Sequence, residues 1–352
     1  MATIAASDHG ATLPQADLPV RVRVVTLASA VSALAAPEAM ATEAVAATAV
    51  EQYGMGAASL SRLGGLDTIN YRVDAGGGRR FLLRLHDPAR HAPALVASEL
   101  QWLAHLTADT ELILPRPVRN RRGQTVTVVE APPGHETVCT LLRWVEGEPL
   151  GGAFTDEHAR QAGEVMARLH ASAFRPPPGF AREVCDAAYF ARCLELLLAA
   201  CGEELAPDDV RAMQHGTRAL TALVRRLPRT PATFGLIHAD FHPGNYVMHG
   251  DELRVIDFGR CAFGYHAFDI ATALELDEAR RNAFLAGYAS IRPWPPGLER
   301  HHDAFVCLTY LDNLGFLATI GRERAYVLET VPAVADALGR YAERASRHDT
   351  PA

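Results

Sequence analysis

Residues 234–260, FGLIHADFHPGNYVMHGDELRVIDFGR, break a long helical region with strand-like runs and tight turns. After Asn245, YVMH has strand character, GDE turns, and LRVIDF is strand-like again, which is the pattern of a short hairpin. Asn245 enters that hairpin and Asp257 leaves it. The two ends of an antiparallel hairpin lie side by side, so an amide oxygen and a carboxylate converge. Hard oxygen ligands of this kind suit Mg²⁺. Asp240 belongs near the same point, five residues before Asn245. The same letters admit another reading. On a continuous strand, His238, Asp240 and His242 would share one face, as in a transition-metal site. Pro243-Gly244 ends any such strand, and no other ligands in the chain complete the set.

Upstream the chain is β-rich. A helix is expected over 37–53, then LSRLGGLDT (60–68) gives a strand and a glycine turn. INYRVDA (69–75) and RRFLLRLHD (79–87), joined by Gly76-Gly77-Gly78, make a hairpin. The triple glycine is no P-loop, since no Gly-Lys-Ser/Thr follows it. APALVASELQWLAHL (92–106) has helical period, with Val96, Leu100 and Leu103 as its apolar stripe. Glu99 falls inside that stripe, where a carboxylate is costly unless paired. PRPVRN (115–120), QTVTVVEA (124–131) and TVCTLLRWVEG (137–147) are strand-like, and EGEPLGG (146–152) reads as a hinge.

Beyond the hinge the chain is mostly helical. Thr155 is an N-cap candidate with Asp156 and Glu157 in the first turn. Further helices are expected near 186–203, 207–227, 267–289, 299–320 and 331–346. Residues 1–36 read as a partly disordered tail, 37–147 as one lobe and 148–352 as a second. A secretory signal over 24–41 is disfavoured by its late start and helical continuation.

Charge narrows the function. The net charge of −7 argues against a protein that works by neutralising nucleic-acid phosphates. The basic run RPVRNRRG (116–123) sits at a turn and reads as solvated. No run suits a membrane span, and six cysteines without a C-x-x-C pair fit a reduced, cytoplasmic setting. All 34 basic residues are Arg. Any task usually given to Lys therefore falls to Arg or His.

The compound spacing H-x-D-x-x-x-x-N, then D-F-G with its Asp twelve residues past the Asn, resembles the protein-kinase-like superfamily. LIHADFHPGN and VIDFG are similar to the catalytic and metal loops of the aminoglycoside phosphotransferase family, which also holds choline, homoserine and hydroxylysine kinases and a bacterial stress-response kinase. The resemblance implies an α+β, bilobal fold: an N-terminal antiparallel sheet with one main helix, and a larger helical C-terminal lobe. It implies Asp240 as catalytic base or orienter, and Asn245 and Asp257 as Mg²⁺ ligands. His238 would brace the loop, and His242 would pack or help at the γ-phosphate. Asp269 would support the loop from the next helix. For nucleotide, Arg84 would grip phosphates with Glu99 as its partner, Arg standing where the family has Lys. The turn at Gly64-Gly65 would lie over the phosphates, and LLRWVEG would contact adenine.

The expected activity is transfer of the γ-phosphate of ATP, with Mg²⁺, to a hydroxyl of a small molecule such as an aminoglycoside, an amino alcohol or a homoserine-like compound. Asp186, Glu195, Glu275 and Asp312 are acids that could face a cationic acceptor or equally lie on solvated helix faces, the more frequent case. Two rivals remain, a Ser/Thr protein kinase and a non-catalytic nucleotide-binding module. The short run between Asp257 and Asp269, with no A-P-E, disfavours the first. The oligomeric state is left open.

Overall fold

The computed structural model describes residues 36–87, 90–130, 134–150, 154–274 and 277–348. The expected tail, most of the signal-like stretch and Glu275 lie outside these residues.

The N-terminal part is a five-stranded antiparallel sheet in the order β1-β2-β3-β5-β4. Its strands are β1 (Ser59–Gly64), β2 (Thr68–Ala75), β3 (Arg79–His86), β4 (Val126–Glu130) and β5 (Glu136–Arg143). The triple glycine turns β2 into β3, and Gly77 has φ 75°, a conformation glycine adopts without strain. β3 sorts its side chains by alternation. Phe81, Leu83 and Leu85 join a small core with Val45, Ala49 and Val50 of α1 (Ala36–Gln52) and with Tyr53 just after it. Leu82, Arg84 and His86 therefore face the other way, toward α2 (Pro93–Asp109).

Two helices flank the sheet, the one expected over 37–53 and the main helix expected over 92–106, and they belong to different cores. Leu100, Trp102, Leu103 and Leu106 of α2 are buried in the large core of the C-terminal part. Residues 115–120 form no strand. Pro117 makes a lone bridge to Leu142, and Val118 N and Arg143 N carry the neighbouring bonds. Pro115 and Pro117 supply no N–H to a ladder, which limits this run to isolated pairing.

The chain crosses over through 144–150, where Glu148–Pro149 (β6) pairs with β8, so the expected hinge is anchored at its far end. The C-terminal part holds α3 (Asp156–Ala171), α4 (Ala187–Cys201), α5 (Pro207–Arg226), α6 (His266–Ala273), α7 (Glu278–Ile291), α8 (Leu298–Ala318) and α9 (Arg324–His348). Thr155 caps α3, its hydroxyl accepting from His158 N while His158 Nδ1 accepts from Thr155 N. The helix expected over 267–289 is two, with Asp277 capping the second. The last helix begins at Arg324 rather than 331 and carries Pro332 inside it. Among the described residues no single helix is long and apolar enough to cross a membrane.

Two small β elements enter this helical body. β8 (Tyr246–His249) and β9 (Glu252–Val255) form the expected hairpin, with Tyr246 opposite Val255. β7 (Phe234–Ile237) pairs antiparallel with β10 (Ala262–Tyr265), which returns the chain beside its own entry and aims α6 at the intervening loop.

Candidate active site

The hairpin brings its two ends together as its pattern requires. Ile256 N donates to Asn245 O at 2.9 Å, so Asp257 stands next to Asn245. A short 3₁₀ turn, Pro243–Asn245, precedes β8, and in it Asn245 is buried. Asn245 Nδ2 donates to Asp240 O at 2.9 Å and to Asp240 Oδ2 at 3.0 Å. That use of the amide nitrogen leaves Oδ1 as the side chain's acceptor. Asp240, Asn245 and Asp257 therefore meet at one point.

The loop is tied down from below. Ala239 has φ 61°, a left-handed conformation that costs a non-glycine residue about 1 kcal/mol or more. Asp269, in the first turn of α6, offsets this: its two oxygens accept from His238 N at 2.9 Å and Ala239 N at 2.8 Å. It is not an N-cap but a loop anchor. His170 Nε2 lies 3.0 Å from Asp269, and His170 Nδ1 lies 2.9 Å from the Tyr288 hydroxyl. A neutral ring that donates to Asp269 and accepts from Tyr288 satisfies both contacts. Burial pushes the His170 imidazole well below its usual value, which keeps it neutral.

The two histidines that suggested a metal site point elsewhere. His238 Nε2 faces the Ile256 carbonyl at 3.2 Å, and its Nδ1 accepts from Asp240 N at 3.3 Å. His242 Nδ1 accepts from Gly244 N, and its Nε2 lies 3.2 Å from Asn245 Nδ2. His242 is buried, and its two ring nitrogens face Gly244 and Asn245 inside the loop. No group of three or more His, Cys, Asp or Glu among the described residues is arranged to hold a metal ion by itself. The histidine-metal reading fails on that geometry.

Across the cleft, Arg84 Nη1 meets Glu99 Oε1 at 2.5 Å, with both side chains buried. The costly carboxylate of α2 has found its partner. A Cβ on Gly259 would lie 2.9 Å from Arg84 Nη2 and 3.2 Å from Asp257 Oδ1, so the guanidinium reaches the D-F-G segment over a position that only glycine leaves open. Asp257 itself has φ 63°. Burial, opposed by Arg84 but helped by Asp240, Asp67 and Glu99, pushes its carboxyl up to about 6. Asp240 is held below the usual carboxylate range: burial works against ionisation, and His242 and Arg260 outweigh it.

Gly64 and Gly65 form the tight turn between β1 and β2. A Cβ on Gly65 would lie 1.9 Å from Thr68 O. Arg322, from the segment before α9, donates to the carbonyls of Gly65 and Leu66. Asp67 in this turn meets His91 at 3.0 Å.

Several connections carried no sequence signal. Arg182 donates to Leu95 O of α2 and to Gly259 O and Cys261 O of the D-F-G segment. Trp102 of α2 stacks edge-on against Phe258. Arg260 was legible in principle, as the one Arg between Asp257 and Asp269. Of the four acids read as facing a cationic acceptor, Asp186 caps α4, accepting from Ala188 N and Tyr189 N. Asp312 is buried in an ion pair with Arg260 at 2.7 Å. Glu195 is exposed on α4.

Known proteins resemble the chain over most of its length. A family model described as "Phosphotransferase enzyme family" matches residues 60–301. A homoserine kinase of Methylobacillus flagellatus is 28% identical over 72% of this chain and 78% of its own. One from Gluconacetobacter diazotrophicus is 30% identical over 65% of this chain and 70% of its own. The solved structure of a microcompartment-associated aminopropanol kinase superposes with a TM-score of 0.73 at 26% identity, covering 87% of this chain and 98% of that one. The model match spans well over half of the sequence, and with the loop geometry above it leads to one conclusion: the chain belongs to the phosphotransferase enzyme family.

Proposed function

We propose that the chain transfers the γ-phosphate of ATP, bound with Mg²⁺, to a hydroxyl of a small amino-bearing molecule such as an amino alcohol or a hydroxyl-containing amino acid. The convergence of Asp240, Asn245 and Asp257 opposite the Arg84–Glu99 pair carries this reading. In it, residues 37–147 serve as the nucleotide lobe, and residues 148–352 carry the catalytic loop and the acceptor site.

The donor set fits a hard divalent cation. Asn245 Oδ1 and the Asp257 carboxylate are oxygen ligands. Asp257 is also crowded by Asp240, Asp67 and Glu99, an excess of negative charge that a cation relieves. When bound, Mg²⁺ supplies charge neutralisation along the phosphate chain.

Each protein group then has a physical task. Arg84, fixed by Glu99, offers a rigid cation to phosphate oxygens, in a chain that has no Lys to do so. Asp240 accepts a hydrogen bond from the acceptor hydroxyl and holds it in line. A carboxylate kept this acidic is a weak base, so it orients the hydroxyl first and receives its proton late, as a loose transition state allows. His242 braces Asn245. Asp269, His238 and His170 fix the loop that presents Asp240.

Measuring Mg²⁺-dependent ATP consumption over homoserine, aminopropanol and amino sugars, with Asp240→Asn as control, tests the reading. Turnover with an acceptor that disappears in Asp240→Asn is expected. Full turnover by Asp240→Asn would remove the mechanism.

A further inference from the structure

Arg260 lies between the reacting carboxylate and the two helices expected to meet the acceptor. Its Nη1 is 3.7 Å from Asp240 Oδ1, and its Nη2 is 2.7 Å from Asp312 Oδ2 on α8. Asp312 is fixed in turn, because Tyr189 of α4 donates its hydroxyl to Asp312 Oδ1 at 2.5 Å. The guanidinium also packs over the Phe316 ring, 4.5 Å from its centroid. Asp312 is buried, while Arg260 and Asp240 keep about a fifth of their side-chain surface open. The Arg is thus held from behind by a hydrogen-bonded anion and an aromatic face. Its one open side lies beside Asp240.

The two oxygens of Asp240 are held differently. Oδ2 accepts from Asn245 Nδ2 at 3.0 Å. Among the described residues, Oδ1 has longer-range neighbours in His242 Nε2 at 3.6 Å and Arg260 Nη1 at 3.7 Å. Those spacings leave Oδ1 free to take a hydroxyl while its direction is set. We propose that Arg260 is a positioning residue for phosphoryl transfer, anchored by Asp312 and Tyr189, and that it aims Oδ1 of Asp240 at the acceptor hydroxyl. This role rests on the function proposed above. It also assigns Asp312 a task other than binding a cationic acceptor, since its charge is spent on Arg260.

A positioning role acts through Asp240, and a double-mutant cycle reads that dependence. The assay is steady-state ATP turnover with Mg²⁺, using homoserine as acceptor and water as the basal acceptor. Arg260→Gln lowers kcat by ~10- to 100-fold, the cost of a misplaced reacting group, with KM for ATP unchanged. Arg260→Lys restores part of the loss, because it returns the charge without the fork. Asp312→Asn gives a smaller loss of the same kind. In the Asp240→Asn background, Arg260→Gln has no further effect on the residual rate.

Equal losses from Arg260→Gln in both backgrounds would overturn the role, as would a kcat within twofold of wild type. A kcat loss matched by an equal rise in KM for ATP would mean general damage to the fold, and would overturn it too. The two proposals separate cleanly. A wild-type chain that turns over no ATP with homoserine, aminopropanol, amino sugars or water removes the proposed function and this role together. A working wild type with an equally working Arg260→Gln removes this role alone.

Discussion

On the sheet side of the cleft, Arg84 and Glu99 reach toward each other from β3 and α2 and are fixed by opposite charge. On the hairpin side, Asp240 and Asn245 hang from a loop whose backbone is fastened to Asp269, with His170 and Tyr288 behind it. The first arrangement concentrates its strength in one buried contact. The second spreads it over several hydrogen bonds that hold a strained backbone at Ala239. An ion pair can be lost by one substitution, whereas a bonded network loses one strand at a time. Under the proposed function the difference suits the tasks: the sheet side would need a cation at the right place, and the hairpin side a carboxylate at the right angle.

The largest effect should come from the hairpin side. Asp240→Asn is expected to lower kcat by ~10³-fold or more, with ATP affinity retained, as judged by nucleotide titration beside the turnover assay. Breaking the concentrated contact comes next. Glu99→Gln leaves Arg84 buried without its partner and should cost about 3–5 kcal/mol in chemical denaturation, and KM for ATP should rise. Stability unchanged in that variant would show that Asp257 can replace Glu99.

A single strand of the network is worth less. Asp269→Asn keeps the shape but loses charge-assisted bonds to His238 N and Ala239 N, and should cost about 2 kcal/mol. A loss as large as that of Glu99→Gln would erase the contrast between the two sides. Acid should loosen the network, as it should the sheet side, where burial likewise holds the His86 imidazole of β3 well below its usual value. Burial holds the imidazole of His170 well below its usual value and that of His266, which stacks on the His170 ring at 4.3 Å, at about 2, while both titrate near 6.5 when unfolded. The unfolded chain then binds more protons below pH 6.5. The stability these rings contribute is whole above that pH and declines as pH falls toward their folded values. Each should lose about 1 kcal/mol between pH 6.5 and 5.5, read from denaturation midpoints. The smallest effect is expected at the rim. Arg322→Ala removes an exposed clasp on Gly65 and Leu66, and should change KM for ATP by no more than about threefold.

How much of this was legible in sequence follows from the range of each interaction. The hairpin was readable because Asn245 and Asp257 are brought together by local turn chemistry. Arg84 was readable because strand alternation sets its face, and Glu99 because a carboxylate within an apolar helical stripe requires a partner. Arg260 and Asp312 meet across 52 positions, and Arg182 reaches α2 across 87. No local pattern encodes those distances. His242 left two readings open because its spacing from Asp240 says nothing about where the ring turns. The split between α6 and α7 was missed because apolar periodicity continues across it, while Asp277 as a cap marks a new start.

Because α2 shares its buried leucines and Trp102 with the helical core, and Arg182 laces its backbone to the D-F-G segment, it is built into the helical part of the chain rather than into the sheet. Under the proposed function, any shift of the sheet during nucleotide exchange would be a slide over this helix, a shear rather than a swing of one whole lobe. Arg84 sits on the sheet and Glu99 on the helix, so in such a shift the pair would act as a latch.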